Sequence, residues 1–418
     1  MLERLAASFV SLRNRNFRLL WSGMVVSTAG SMMQNAAVLW HVTQLVSSED
    51  RPLALGAVGA VKIVPILAFS LFGGVVADAL DRQKLMLAMQ SLMAVFASAL
   101  AFLTFTHHET LWSIYLLTGL TSAANSFDGP ARQAMFPALV PKKDFPNAIS
   151  LNAVHFQVAS VVGPWLAGIV IATLGMGWVY AVNAASFFAV IVNLLRMRDL
   201  PARQGEASKV SLHSALEGLR FVFRSPMIRS TMLLDFFATF FSTASGLLPI
   251  YAQDILHVGP RGYGLLVSAQ ATGALVASAF LVHAADRIDR RGKTLLWAVV
   301  GYGIATVLFG VSRNFALTYA CLALVGATDM VSTVLRNIIR QFATPDRLRG
   351  RMTSVNMVFF LGGPQLGEIE AGLLAHALGA PFSVISGGIG CLVATAWIAA
   401  KTPALRRYRR EDAALEAA

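Results

Sequence analysis

The sequence predicts an all-α membrane protein with twelve transmembrane helices in two six-helix, pseudo-symmetric halves. Three observations carry that expectation. Of 418 residues, 56% are hydrophobic and only 13% are charged, against about 45–50% and about 25% in soluble domains, so much of the surface must face lipid. Apolar stretches of the roughly 20 residues that a span requires recur from Leu19 to Trp397. The basic residues are one-sided: with a cytoplasmic N-terminus, 30 of the 34 Lys and Arg fall at cytoplasmic ends or loops, and only Arg51, Arg261 and Arg313 fall opposite. Such a bias predicts both termini in the cytoplasm and an even number of spans, because a missed helix would invert half of the pattern.

Arg4, Arg13, Arg15 and Arg18 precede the first apolar stretch with no small-residue cleavage site after it, so a span and not a signal peptide is expected there. Apolar runs and their polar ends place six helices at 19–46, 53–77, 85–106, 111–130, 147–173 and 177–195, which make an N-terminal half over 1–195. The longest polar interruption, 196–227, reads as a cytoplasmic linker; Leu212, Leu216, Leu219 and Phe223 have helical spacing within it, as a helix lying on the membrane surface would. Six further helices at 228–254, 262–284, 294–312, 315–341, 352–376 and 380–400 make a C-terminal half over 228–400, and 401–418 is a cytoplasmic tail. The net charge of +12 is scattered in short clusters between spans, which encodes topology and not a nucleic-acid surface. Two cysteines, Cys321 and Cys391, both in apolar stretches, are too few for a disulfide framework or a multi-Cys zinc site.

An internal repeat relates the halves. Asp78, Asp81 and Arg82 between spans 2 and 3 return as Asp286, Asp289 and Arg290 between spans 8 and 9, at an offset of 208. Arg132, Pro141, Ser150 and Asn152 return as Arg336, Pro345, Ser354 and Asn356, at an offset of 204. Parallel repeats of this kind are a transporter architecture, with the substrate site expected between the halves near the bilayer midplane.

At these residues the sequence resembles the major facilitator superfamily over essentially its whole length. The superfamily loop signature Gly-x-x-x-Asp-x-x-Gly-Arg-Arg/Lys reads here Gly74-Val-Val-Ala-Asp78-Ala-Leu-Asp81-Arg82-Gln83-Lys84. Asp81 in place of the second glycine resembles the branch of enterobactin exporters and macrolide efflux proteins. Asn16-Phe17-Arg18-Leu19-Leu20-Trp21 at the start of span 1 and Gly363-Pro364-Gln365-Leu366-Gly367-Glu368 in span 11 add to that similarity. Drug antiporters of the superfamily commonly carry an arginine in the middle of span 4; Leu116 to Asn125 contains none, so a relay built on it does not transfer. The resemblance implies the major facilitator fold, a small-molecule substrate and a bacterial inner membrane.

Several side chains are candidates for chemistry. Asp78 with Arg82 and Asp286 with Arg290 stand at cytoplasmic helix ends, where an aspartate can hold an arginine and a helix N-terminus and so close a gate; Arg132 and Arg336 are the expected partners. The competing reading is a topogenic charged turn. Gly74, Asp81 and Asp289 complete the gate set. Gly163-Pro164 in span 5 and Gly363-Pro364 in span 11 mark kinks, since proline frees a carbonyl and glycine admits close backbone approach. Asp329 lies about 21 Å from the outer end of span 10, deep in a core about 30 Å thick, which makes proton coupling or a structural hydrogen bond the alternatives. Lys62 lies about 14 Å below the outer end of span 2, and Glu368 and Glu370 roughly 12 and 9 Å below that of span 11, so Lys62 is expected to pair with one glutamate and leave the other free to titrate. Asp235 in span 7 and Asp128 near the cytoplasmic end of span 4 are weaker candidates, since both could reach interfacial water. No histidines share a helix face with metal-ligand spacing.

There is no Walker A sequence, no Gly-x-Ser-x-Gly and no His-Glu-x-x-His, so neither ATP-driven transport nor catalysis is expected, and no cofactor. The expected activity is secondary transport: proton-coupled export of a small amphipathic organic molecule, siderophore or drug-like, by a monomer working through alternating access. Proton-driven uptake or lysophospholipid flipping on the same fold is the alternative. A transport-inactive receptor or scaffold is a third possibility, disfavoured because a scaffold gains nothing from burying Lys62 and Asp329 in hydrocarbon.

Overall fold

The computed structural model describes residues 9–198, 219–242, 244–284, 287–345 and 348–412; at 70–79, 137, 244, 283, 349–351, 354, 358 and 361 it describes the backbone alone. After a 3-10 turn at Val10–Arg13 come α1 (Arg15–Gln44), α2 (Arg51–Ala79), α3 (Arg82–Phe105), α4 (Leu111–Ala138), α5 (Phe145–Thr173) and α6 (Met176–Arg196). The second series is α7 (Pro226–Phe241), α8 (Gly259–Ala284), α9 (Arg291–Val311), α10 (Phe315–Phe342), α11 (Arg349–Leu378), α12 (Ala380–Lys401) and the short α13 (Pro403–Arg407). No strand occurs among the described residues. Among them nine helical stretches are long and apolar enough to cross a bilayer. Helices α1, α4 and α11 are as long but carry residues such as Gln34, Asp128 and Glu368, so as spans they rest on the sequence reading alone.

Local chemistry sets the helix ends. Asn14 accepts hydrogen bonds from the backbone N–H groups of Asn16 and Phe17 and starts α1 four residues before the apolar run. Asp81, the departure from the superfamily loop signature, caps α3 by accepting from Lys84 N at 3.1 Å. Thr110 and Ser113 form a reciprocal capping box that opens α4. Helix α4 then runs to Ala138, eight residues beyond the predicted span, which carries Arg132 within the helix and not in a loop. Span 7 is not one helix. It stops at Phe241 and continues as a 3-10 turn (Ala244–Leu247), one α turn (Leu248–Ile250) and a π turn (Tyr251–Ile255), which Tyr251 anchors with a bond to Gly310 O at 3.2 Å. Of the predicted surface helix, Leu212 and Leu216 lie outside the described residues; 219–224 is helical and presents Leu219 and Phe223 outward.

Packing divides the chain into two units. The first comprises Met1–Leu45, Val61–Lys209 and Pro260–Gly264; the second comprises Val46–Ala60, Val210–Gly259 and Leu265–Ala418. In the first, α1 packs on α5 and α6, and α3 on α4 and α6. In the second, α7 packs on α11 and α12, and α9 on α10 and α12, the same four pairings six helices later. The internal repeat is thus a repeat of packing as well as of sequence.

Two short exchanges distinguish these units from the sequence halves, and both occur at glycines. In the second unit a Cβ on Gly372 would lie 2.6 Å from Pro52 O and 2.7 Å from Gly56 Cα; in the first, a Cβ on Gly264 would lie 2.5 Å from Pro164 O and 2.9 Å from Gly168 Cα. Only glycine permits backbones to approach that closely, and in lipid, where burying apolar surface gives little gain, such contact is a main source of helix affinity. Pro52 and Gly56 precede Pro260 and Gly264 by 208 residues, and Gly168 precedes Gly372 by 204, the two offsets of the loop repeats.

Candidate functional site

The second unit holds a buried quartet of opposite charges. Arg336 on α10 is 1% exposed; its Nη2 lies 2.9 Å from Asp235 Oδ1 on α7 and 3.5 Å from Asp329 Oδ1, two turns back on α10. Its guanidinium also donates to Ser332 Oγ at 2.9 Å and Thr333 Oγ1 at 2.8 Å. Arg340, one turn further along α10, stands 3.9 Å from Asp235 Oδ2 and donates to Asn337 Oδ1 at 3.0 Å and to Asn356 Oδ1 on α11. Two guanidiniums and two carboxylates satisfy one another where neither sign could stand alone. The aspartates differ in access, since the Asp235 side chain is 4% exposed and that of Asp329 is 43%. Asp235 is thus enclosed by the quartet, and Asp329 is its less enclosed member.

The first unit carries a smaller counterpart. Asp128 is fully buried, accepts from Gln90 Nε2 on α3 at 3.0 Å and faces Arg132 at 3.9 Å. Contrary to the sequence reading, neither Asp128 nor Asp235 reaches interfacial water: extension of α4 carries Asp128 away from the helix end, and Arg336 takes Asp235 into the interior.

The other predicted residues are placed as follows. Glu368 is half-buried; a Cβ at Gly59 would meet its Cβ at 2.8 Å and its Oε2 at 3.1 Å, and one at Gly246 would meet its Cγ at 3.3 Å. Its side chain thus lies between the first turns of α2 and the 3-10 turn after α7. Glu370, also half-buried, points some 200° round the helix from it. Lys62 is half-buried in the first unit and both glutamates belong to the second. Gly74 and Asp78 stand in the last turns of α2, and Asp286 lies outside the described residues. Arg82 donates to Ala134 O at 3.1 Å. The backbone carbonyl of Asp289 accepts from Arg410 N at 2.9 Å, and Arg290 is the N-cap residue before α9. Pro164 and Pro364 lie inside α5 and α11, where a Cβ at Gly163 would meet Met32 Cβ at 2.6 Å and one at Gly363 would meet Thr239 Oγ1 at 2.5 Å. Sequence reasoning missed Arg340 and Gln90, and it singled out Asn356 only as a member of the repeat. The signal for Arg340 is its position four residues after Arg336, on one helix face.

Comparison with known proteins agrees with this architecture. The family described as transmembrane secretion effector matches residues 6–416. The enterobactin exporter EntS of Shigella boydii serotype 18 is 29% identical over 341 residues, 81% of this chain and 80% of that protein. An Escherichia coli enterobactin exporter EntS is 28% identical over the same shares. Among solved structures, a bacterial homologue of the human lysosomal transporter Spinster, inward-facing and unoccupied, aligns with a TM-score of 0.72 at 13% identity, over 94% of this chain and 98% of that one. The nucleoside transporter NupG aligns at 0.70 with 12% identity, over 93% and 99%.

Proposed function

The chain belongs to the transmembrane secretion effector family of the major facilitator superfamily, and we propose that it is a proton-coupled exporter of a small amphipathic organic molecule. That it is a multi-pass membrane transporter and not an enzyme follows from the family. Export, proton coupling, the inner-membrane location and the cytoplasmic termini are our reading. A siderophore-like or drug-like substrate is favoured by the similarity to exporters whose names specify enterobactin.

One observation carries the coupling: Asp329, about 21 Å along α10 from its start at Phe315, keeps 43% of its side chain accessible while facing a buried arginine. A carboxylate at that depth must be paired, protonated or lining water, and this one has both a partner and access. When Asp329 is charged, Arg336 is shared between it and Asp235. When Asp329 takes a proton its hold on Arg336 weakens, and Arg336 is retained by Asp235 at 2.9 Å. Proton binding then changes the field in the second unit without leaving a buried charge alone, and alternating access of the two halves converts that change into transport. Glu368, Glu370 and Lys62 are the further candidates to hold the proton or the substrate. Asp78, with Arg82 and Arg132, and the repeat counterparts Asp286, Asp289 and Arg290 are proposed to control the cytoplasmic opening.

Two experiments test this. In inverted vesicles with an imposed pH gradient, Asp329→Asn should abolish accumulation against a gradient while substrate exchange persists, because exchange moves no net proton. Full gradient-driven accumulation by Asp329→Asn, Glu368→Gln and Glu370→Gln alike would refute the coupling. Asp78→Asn should raise thiol accessibility at single cysteines placed at the cytoplasmic ends of α4 and α10, and no rise would leave Asp78 a topology residue.

A further inference from the structure

The described C-terminal residues are pinned and do not trail from the last span. Leu405 of α13 is fully buried and Tyr408 is 3% exposed, both within the core that includes Leu234, Leu295 and Ile339. Two backbone bonds fasten the segment to the first turn of α9 and to the residues just before it: Gly292 N donates to Tyr408 O at 3.1 Å and Arg410 N donates to Asp289 O at 2.9 Å. Gly292 leaves the space that Leu405 O occupies and that any larger residue would fill. With Leu405 and Tyr408 turned inward three residues apart, Arg406, Arg407, Arg409 and Arg410 are all exposed. Arg290, just before α9, and Lys293, in its first turn, are exposed as well. Asp289, Glu411 and Asp412 are the acidic neighbours, and Asp412 is engaged in accepting from Arg409 N at 2.7 Å.

A topology signal requires only that basic residues follow a span; it does not require them to be held in place. Here a two-residue plug and two backbone bonds hold the backbone that carries four guanidiniums within nine residues of the end of α12. Guanidinium offers paired donors that match phosphate oxygens, and a preorganised cluster loses less freedom on binding than a mobile one. We propose that residues 401–410, pinned at the start of α9, form a binding surface for the phosphate headgroups of anionic lipids. The surface lies on the turn that holds Asp289 and Arg290, so an anionic lipid bound there also braces that turn.

The test uses the full-length protein purified in detergent and native mass spectrometry with phosphatidylglycerol, phosphatidylcholine or pyrophosphate as probe. Wild type should retain phosphatidylglycerol and not phosphatidylcholine. Each guanidinium near an anionic headgroup contributes about fivefold in affinity, so Arg406→Gln/Arg407→Gln/Arg409→Gln/Arg410→Gln should weaken retention roughly 600-fold while its unfolding temperature in lipid-free detergent stays that of wild type. Tyr408→Ala keeps every charge but removes one of the two plug side chains, and should weaken retention at least tenfold. Hydrogen exchange on the unmodified protein gives a reading that needs no variant: phosphatidylglycerol should slow exchange at 287–293 and 401–412, and phosphatidylcholine should not. Equal retention of the two lipids, unchanged retention by the quadruple variant or by folded Tyr408→Ala, displacement of the lipid by equimolar pyrophosphate, or unaltered exchange would each overturn the proposal.

Discussion

Asp235 and Asp329 share one arginine, yet their neutralisation should have very different structural costs. Removing the charge of Asp235, whose side chain is 4% exposed, strands Arg336 at 1% exposure with its more distant partner at 3.5 Å and deprives Arg340 of its only described carboxylate. Breaking a buried pair from one side costs about 3–5 kcal/mol, because the remaining charge is left uncompensated. Asp329→Asn removes only the longer contact, at 3.5 Å, and leaves Arg336 its nearer partner Asp235 at 2.9 Å, so it should cost about 1 kcal/mol, the net worth of one intramolecular hydrogen bond. The expected gap is therefore about 2 kcal/mol or more. At roughly 2–4 °C per kcal/mol for a unit of about 200 residues, Asp235→Asn should unfold about 4–8 °C below Asp329→Asn. Thermal unfolding in one detergent, followed by tryptophan fluorescence, measures it. Removing one charge of each sign tests the cause: Asp235→Asn with Arg340→Gln should be more stable than the sum of its single changes, by about 0.5–3 kcal/mol. Equal unfolding temperatures for the two aspartate variants, or additivity in the cycle, would refute the reading of Asp235 as the enclosed counter-ion.

Gly168→Leu and Gly372→Leu should each lower yield and unfolding temperature, because the facing backbone lies within 2.5–3.1 Å of the added Cβ, whereas Gly362→Ala, with nothing within 4 Å, should be neutral or gain about 0.5–1 kcal/mol. Asp128→Ala leaves the Gln90 amide without its described acceptor and should cost about 1–3 kcal/mol; Gln90→Leu with Asp128→Leu should cost less than the two single changes added, which a thermal double-mutant cycle reads directly. Cys321 and Cys391, 5% and 1% exposed and both free thiols, should resist a polar maleimide in the folded protein and react fully after denaturation, as mass spectrometry of the intact chain would record.

The sequence exposes depth along a helix much better than rotation about it. Composition, basic-residue bias and the two repeat offsets are one-dimensional signals, and they lead to the helical membrane fold and to the transporter family. Within a span nearly every face is apolar, so the periodicity that orients a water-soluble helix is weak. That is why Asp329 is legible as a deep carboxylate while its arginine is not. Asp235 and Arg336 are a hundred residues apart, and nothing in the pattern of α7 points Asp235 toward α10. Arg336 shows the same limit from the other side: its repeat relation to Arg132 suggests a gate arginine, but its neighbours are Ser332, Thr333 and two aspartates. The break after Phe241 was equally hidden, because Gly246 and Pro249 are ordinary residues for a membrane helix and only packing distinguishes a kink from a break.

The quartet's two guanidiniums and two carboxylates sum to zero, which gives the membrane voltage a defined part in the cycle. On the proposed mechanism the site carries one positive charge when it holds a proton and none when it does not. Moving one elementary charge through the whole potential is worth about 2.3 kcal/mol per 100 mV, so the proton-loaded step is driven or opposed by the electric field while the proton-free step is electrically silent for an uncharged substrate. A potassium diffusion potential across proteoliposomes, with the pH equal on both sides, would therefore act as a driving force in its own right, and its polarity would select the direction in which the proton-loaded carrier turns.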